Sequence, residues 1–158
     1  TYAVVGNIPY YISGYLFRML GDISYKPMQG VFLIQQEVAQ RICAETGAMN
    51  LLASCVQAWC SPRILFSVAP GNFNPPPKVD SAVIAFEHMR ADILASRPHF
   101  FEFLRVLFKQ PRKTVYNNLK GLSEHASVLA KAEGHYLSLR PERLSLVDMQ
   151  RIYDVLYA

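Results

Sequence analysis

Sulfur has little part in this sequence of 158 residues. Its three cysteines, Cys43, Cys55 and Cys60, show no Cys-x-x-Cys spacing and have no neighbouring histidine pair. A disulfide framework and a zinc site are therefore disfavoured, no metal is expected, and buried free thiols are the simpler reading. No run of about 18 uncharged apolar residues occurs, and no basic-then-apolar leader opens the chain, so neither a membrane span nor a secretory signal is expected. That makes the cytoplasm the expected compartment. Glycine-rich turns of the GxGxxG kind are missing, as are internal repeats and low-complexity tracts.

What is present suits a packed protein. Hydrophobic residues make up 51% of the chain, enough for one good core, or for a core and a small satellite unit. Sixteen Lys and Arg against twelve Asp and Glu leave a net charge of +4. By itself this is weak support for a polyanionic partner, because many basic proteins never touch nucleic acid. The position of the charges carries more information than their sum.

Along the chain, Tyr2-Ala3-Val4-Val5 is a β-prone run that starts at once and reads as a strand already in progress. Gly6 and a polar-aromatic turn, Asn7 to Tyr11, follow, and then a helix over Ser13 to Leu20 with a serine available as its cap. Gly30 to Gln35 is a continuous apolar run, the pattern of a strand buried on both faces of a sheet with helices on each side. Helices are predicted for Glu37 to Glu45 and from Met49 to Gln57, the second leading into a strand over Ala58 to Val68. Glu37 and Arg41, four apart, suggest an intrahelical ion pair. Ala69 to Pro77 contains four prolines and is a stiff loop. Asp80 to Glu87 completes a hairpin with the preceding strand. After Glu87 the character changes: Phe100 to Phe108, Lys113 to Leu122, Ala126 to Ala132 and Leu146 to Tyr157 have helical spacing, broken by Pro98, Pro111, Gly134 and Pro141. Two units result, residues 1–90 with mixed α/β structure and residues 91–158 all helical. Asp148 falls in the first turn of the last helix, where a carboxylate favours the positive end of the helix dipole.

The residues with the most chemistry are Asn7, Ile8, Pro9 and Tyr10. They directly follow a strand, and open α/β sheets bind ligands at the carboxyl ends of their strands. An exocyclic amine on a nucleobase is a poor nucleophile because its lone pair is delocalised into the ring. An amide oxygen from Asn7 and the carbonyl of Ile8 could accept its N–H bonds and favour a more tetrahedral nitrogen. Pro9 would hold the turn, and Tyr10 would offer a ring for a base to stack on, an interaction of about 1–3 kcal/mol. The same four residues also fit an ordinary strand-ending turn. Lys109, Arg112 and Lys113 flank Pro111 at the start of a predicted helix, where positive charge is electrostatically disfavoured. Phosphate contact and a solvated face both remain open for them.

Val5-Gly-Asn-Ile-Pro-Tyr-Tyr-Ile-Ser13 resembles the fourth motif of the ribosomal RNA adenine dimethyltransferases. Three other segments agree in order: Phe32-Leu-Ile-Gln-Gln-Glu-Val-Ala-Gln-Arg41, Phe73-Asn-Pro-Pro-Pro-Lys-Val-Asp-Ser-Ala-Val83, and Phe108-Lys-Gln-Pro-Arg-Lys-Thr-Val-Tyr-Asn-Asn-Leu119. The proline-rich and Arg-Lys-Thr runs are similar to the small-subunit branch rather than the antibiotic-resistance branch that acts on large-subunit RNA. The resemblance implies the C-terminal half of a Rossmann-like class I methyltransferase sheet followed by a small all-helical RNA-binding domain. It further implies S-adenosylmethionine-dependent N6-dimethylation of adenines in small-subunit rRNA, within 30S-type pre-ribosomal particles, by an enzyme expected to be a monomer at full length. Asn7 and Ile8 would bind the adenine amine, Tyr10 would stack on one face, and Phe73 would approach from the proline loop; on residue type alone, Phe73 is more readily a core anchor than a base contact. Asn7 would also border the cofactor. Lys78, Lys109, Arg112 and Lys113 would meet the RNA.

One departure from the family is large. Its glycine-rich turn and following acidic residue lie upstream of the fourth motif and have no counterpart here, so the chain is expected to be the C-terminal portion of a longer enzyme, inactive by itself and binding the cofactor weakly or not at all. Two other readings remain: a non-catalytic RNA-binding assembly factor that retains the fold, and a DNA adenine methyltransferase. The second is disfavoured by Ile8, where a proline is usual.

Overall fold

The computed structural model describes residues 1–88, 92–121 and 134–157, with only the backbone of residues 94 and 95. Four strands, β1 (Ala3–Asn7), β2 (Gln29–Gln35), β3 (Cys60–Val68) and β4 (Ser81–His88), form one sheet in the order β1-β2-β4-β3. β1 and β2 are parallel, joined through helix α1 (Ser13–Asp22); β4 runs antiparallel to both β2 and β3. The expected hairpin is therefore present, with a register irregularity between Ile64 and Phe66. β1 extends two residues beyond the predicted run and ends on Asn7 itself.

α1 and α2 (Gln36–Ile42) each pack against α3 (Leu51–Gln57), and all three cover one face of the sheet. Along β2, Gly30, Phe32 and Ile34 are buried while Val31 is exposed, and on β1 Val5 is 82% exposed. Burial on both faces, expected from the apolar run, is thus not found among the described residues. Four consecutive apolar letters cannot distinguish a one-sided strand from a two-sided one, because only what packs above each face decides it. The covered face centres on Phe17, Phe32, Trp59 and Phe86, whose ring centroids lie 5.3–5.8 Å apart in edge-on and tilted pairs. Gly30 makes that cluster possible. A Cβ there would stand 2.4 Å from the Phe86 ring and 2.8 Å from a Val4 methyl.

Beyond the sheet come α4 (Ile93–Ser96), α5 (Phe100–Leu107), α6 (Val115–Leu119), α7 (Gly134–Leu137) and α8 (Leu146–Leu156). α5 buries Phe100, Phe103, Leu104 and Leu107, the i, i+3, i+4, i+7 stripe of an amphipathic helix. This second core takes in Met49, Ala53, Cys55 and Ala58, so α3 has two buried faces, Val56 turning to the sheet and Ala53 to the helices. α8 begins with a capping box in which Ser145 and Asp148 each bond the other's backbone N–H. Arg97, before α5, clamps Asp154 of α8 through two 2.8 Å bonds.

Several expectations change in detail. Ser13 is the first residue of α1 and does not cap it; its buried hydroxyl points to the Tyr10 carbonyl at 3.4 Å. Glu37 and Arg41 form no ion pair, both being exposed on a helix only seven residues long. Cys55 and Cys60 are buried but Cys43 only partly. The expected helix over Ala126 to Ala132, and the boundary between residues 90 and 91, lie outside the described residues.

Candidate functional site

Asn7 pairs in register with Leu33, and the Ile8 N–H donates to the Leu33 carbonyl at 3.0 Å, so the parallel ladder continues to the first residue of the turn. Pro9, with φ −54° and ψ 131°, then turns the chain, and residues Tyr10–Ile12 form a single 3-10 turn closed by the Ile12 N–H on the Pro9 carbonyl at 3.1 Å. This geometry leaves two acceptors unused. Among the described residues neither the exposed Asn7 carboxamide nor the Ile8 carbonyl accepts a hydrogen bond. β1 is an edge strand among those described, so no neighbouring strand supplies donors on its far side, and Pro9 brings no N–H of its own to the turn.

The Tyr10 hydroxyl and the Ser81 Oγ are 2.5 Å apart. Ser81 opens β4, directly after the proline loop, so this bond ties the turn after β1 to the start of the antiparallel strand. Beside it the Gln36 N–H donates to the Asp80 carbonyl at 3.0 Å, linking the end of β2 to the same point. In the proline loop, residues Pro70–Asn72 form a 3-10 turn, the Phe73 N–H donates to Pro70 O at 3.1 Å, and the Asn74–Pro75 bond is cis. Phe73 is partly exposed and outside both apolar cores, unlike a core anchor. Lys78 is exposed in the same loop. The sheet thus brings Asn7 to Tyr10 and the Phe73–Lys78 loop to one end, the carboxyl ends of β1 and β2.

The three other cations lie elsewhere. Lys109, Arg112 and Lys113 belong to the loop between α5 and α6 and, with Gln110 and Pro111, line a surface cavity that contains none of the Asn7–Tyr10 residues. The helix after them starts at Val115 with Thr114 as cap, so Arg112 and Lys113 precede it and do not occupy its first turn. Sequence reading missed Ser81 and Ser13 as supports of Tyr10. A serine in Asp-Ser-Ala carries no mark of its partner, which strand pairing alone supplies. Burial pushes the Cys55 thiol up to about 12 and raises Cys60 as well, so neither is a thiolate nucleophile near neutral pH.

Known proteins resemble this chain along nearly its full length. The family profile "Ribosomal RNA adenine dimethylase" matches residues 1–154. "Ribosomal RNA small subunit methyltransferase A" of Pseudomonas putida is 39% identical over 97% of the chain and 58% of its own length; its namesake in Mesoplasma florum is 36% identical over 96% and 60%, and that of Chlorobaculum tepidum 41% over 98% and 55%. The chain therefore spans somewhat more than half the length of these relatives. Among solved structures, a dimethyladenosine transferase from Plasmodium falciparum superposes with a TM-score of 0.85 at 24% identity, and the 23S rRNA methyltransferase ErmE with 0.69 at 19%, each over 96% of this chain and 65% of its own. At those identities the likeness shows the fold: the C-terminal half of a Rossmann-like methyltransferase sheet with the helical region that follows it. Taken with the profile match and the relatives above 30% identity, the chain belongs to the ribosomal RNA adenine dimethylase family.

Proposed function

We propose that this chain is the base-holding and RNA-contacting portion of an S-adenosylmethionine-dependent enzyme that dimethylates N6 of adenines in small-subunit ribosomal RNA. The unengaged pair of acceptors at Asn7 and Ile8, presented at a strand end in a chain of this family, carries the reading. An adenine amine donating one N–H to the Asn7 amide oxygen and the other to the Ile8 carbonyl would lose conjugation with its ring and expose its lone pair. Tyr10, its ring steadied through Ser81, would lie under the base, and Phe73 would close on it from the proline loop. No general base is needed at the nitrogen before methyl transfer, because the amine loses its proton after the new bond forms.

S-adenosylmethionine supplies an electrophilic methyl group on a sulfonium and leaves as a neutral thioether. Of the residues that would hold it, the described part of the chain offers Asn7 alone, at the carboxyl end of β1. This fits a border of the cofactor site and not its glycine-rich turn, since no such turn occurs in these 158 residues. Lys78 beside the clamp and Lys109, Arg112 and Lys113 on the helical region would bind RNA phosphates. The substrate would be a 30S-type pre-ribosomal particle in the cytoplasm, and residues 1–90 and 91–158 would act as catalytic and RNA-binding units.

The decisive experiment uses the gene product that carries this chain, labelled cofactor and small-subunit particles, with adenine N6 methylation read by mass spectrometry. Asn7→Ala should lower kcat by roughly a hundredfold or more. Its thermal unfolding should stay near that of the parent, because the Asn7 side chain is exposed and unbonded. Undiminished turnover would end the proposal.

A further inference from the structure

The α5–α6 loop is unusual in charge and in support. Lys109, Gln110, Pro111, Arg112 and Lys113 are all exposed and line a cavity of about 350 Å³ with no acidic residue in its wall. None of the three cations is ion-paired among the described residues. Three like charges within five residues repel one another, and an unsupported loop would relax by spreading them apart.

One side chain opposes that relaxation. Asn118, on α6, is only 9% exposed. Its Oδ1 accepts the Gln110 N–H at 2.8 Å, while its Nδ2 donates towards the carbonyls of Gln110 (3.1 Å), Thr114 (3.1 Å) and Lys113 (3.5 Å). A buried amide in a short helix costs desolvation unless its bonds are made, and here both ends are used on the loop. The Lys113 N–H on the Gln110 carbonyl at 2.9 Å closes the turn within that frame. An apolar residue at 118 would serve the neighbouring core of Val115 and Leu119 equally well; the amide is needed only by the loop.

We infer that Asn118 is the positioning residue of a phosphate-binding loop, holding Lys109, Arg112 and Lys113 in one concave arrangement for successive phosphodiesters of a nucleic acid. The inference rests on the RNA-contacting role proposed above. Arg112 can take a phosphate through a two-toothed guanidinium contact and the lysines act as point charges, so the gain from fixing their backbone is simultaneous contact.

The test compares the gene product with Asn118→Ala and with the triple variant Lys109→Ala, Arg112→Ala, Lys113→Ala. Binding to a small-subunit rRNA hairpin is measured by fluorescence anisotropy over a salt series, below the unfolding temperature of each protein. The slope of log affinity against log salt should fall by about one to two for Asn118→Ala and about three for the triple variant, with affinity down roughly tenfold in the former. A triple variant of reduced slope beside an Asn118→Ala of parental slope and affinity would overturn the Asn118 role alone. A triple variant of unchanged slope would remove the RNA reading of this loop with it. Amide exchange in the parent covers the case in which Asn118→Ala does not fold: the Gln110 N–H should exchange slowly despite its exposed loop, and exchange at an open-loop rate would also overturn the inference.

Discussion

Tyr10 and Ser81, 71 residues apart in the chain, meet hydroxyl to hydroxyl at 2.5 Å and join the turn after β1 to the first residue of β4. A half-buried aromatic ring held at its far end in this way keeps one orientation, which a ring used as a stacking platform requires. Tyr10→Phe preserves the ring and loses the tether. With a hydrogen bond worth about 1 kcal/mol, kcat/KM for adenine methylation should fall about fivefold. Tyr10→Ala should cost much more, since the platform itself is gone, and steady-state kinetics that ranked the two equally would separate Tyr10 from the base.

Gly30→Ala should destabilise the protein by about 1–3 kcal/mol, because the new methyl would collide with the Phe86 ring, 2.4 Å from its ideal position. Denaturant unfolding measures the loss. Combining Gly30→Ala with Phe86→Leu should cost less than the two singles added together, as the ring is the nearest obstacle, ahead of the Val4 methyl. A double variant less stable than the sum of the two singles would place the strain elsewhere.

Ser145→Ala removes one half of the capping box on α8 and should cost about 1 kcal/mol at neutral pH. The same substitution has a pH signature. Burial raises the Asp148 carboxyl, but the Ser145 hydroxyl and backbone N–H, with Tyr136 and Arg151 nearby, outweigh it and hold the group below the usual carboxylate range. A carboxyl with a lowered folded pKa contributes stability above its unfolded value, about 4, and loses it as pH falls through the folded value. The gap between parent and variant should therefore narrow on acidification below about pH 4, which urea midpoints at stepped pH would show.

The 158 residues expressed alone should show no measurable heat of binding with S-adenosylmethionine in calorimetry, for want of a glycine-rich cradle. Micromolar affinity would mean that the described sheet end holds the cofactor by means other than that turn.

Much of this molecule was legible from its letters because the signals are local. Pro9 and the four prolines of the loop constrain their own backbones, the apolar spacing of Phe100 to Leu107 marks a helix face, and the Asn-Ile-Pro-Tyr turn after a strand marks the candidate site, the family becoming legible once three other segments agree with it in order. The β3–β4 hairpin was legible too, since it joins consecutive strands across one loop; the place of β4 beside β2 and the coverage of each face were not, because they depend on residues distant in sequence. Which face of β2 is buried, why Tyr10 needs Ser81, why position 30 tolerates only glycine beside Phe86, and why a buried Asn118 belongs under a basic loop are all set by the order β1-β2-β4-β3 and by helices packed on one face of it. Composition and spacing determine which elements form and what chemistry they carry. The tertiary structure alone decides which partners each side chain meets, because a hydrogen bond or a ring contact is a relation in space with no counterpart in either residue's neighbours along the chain.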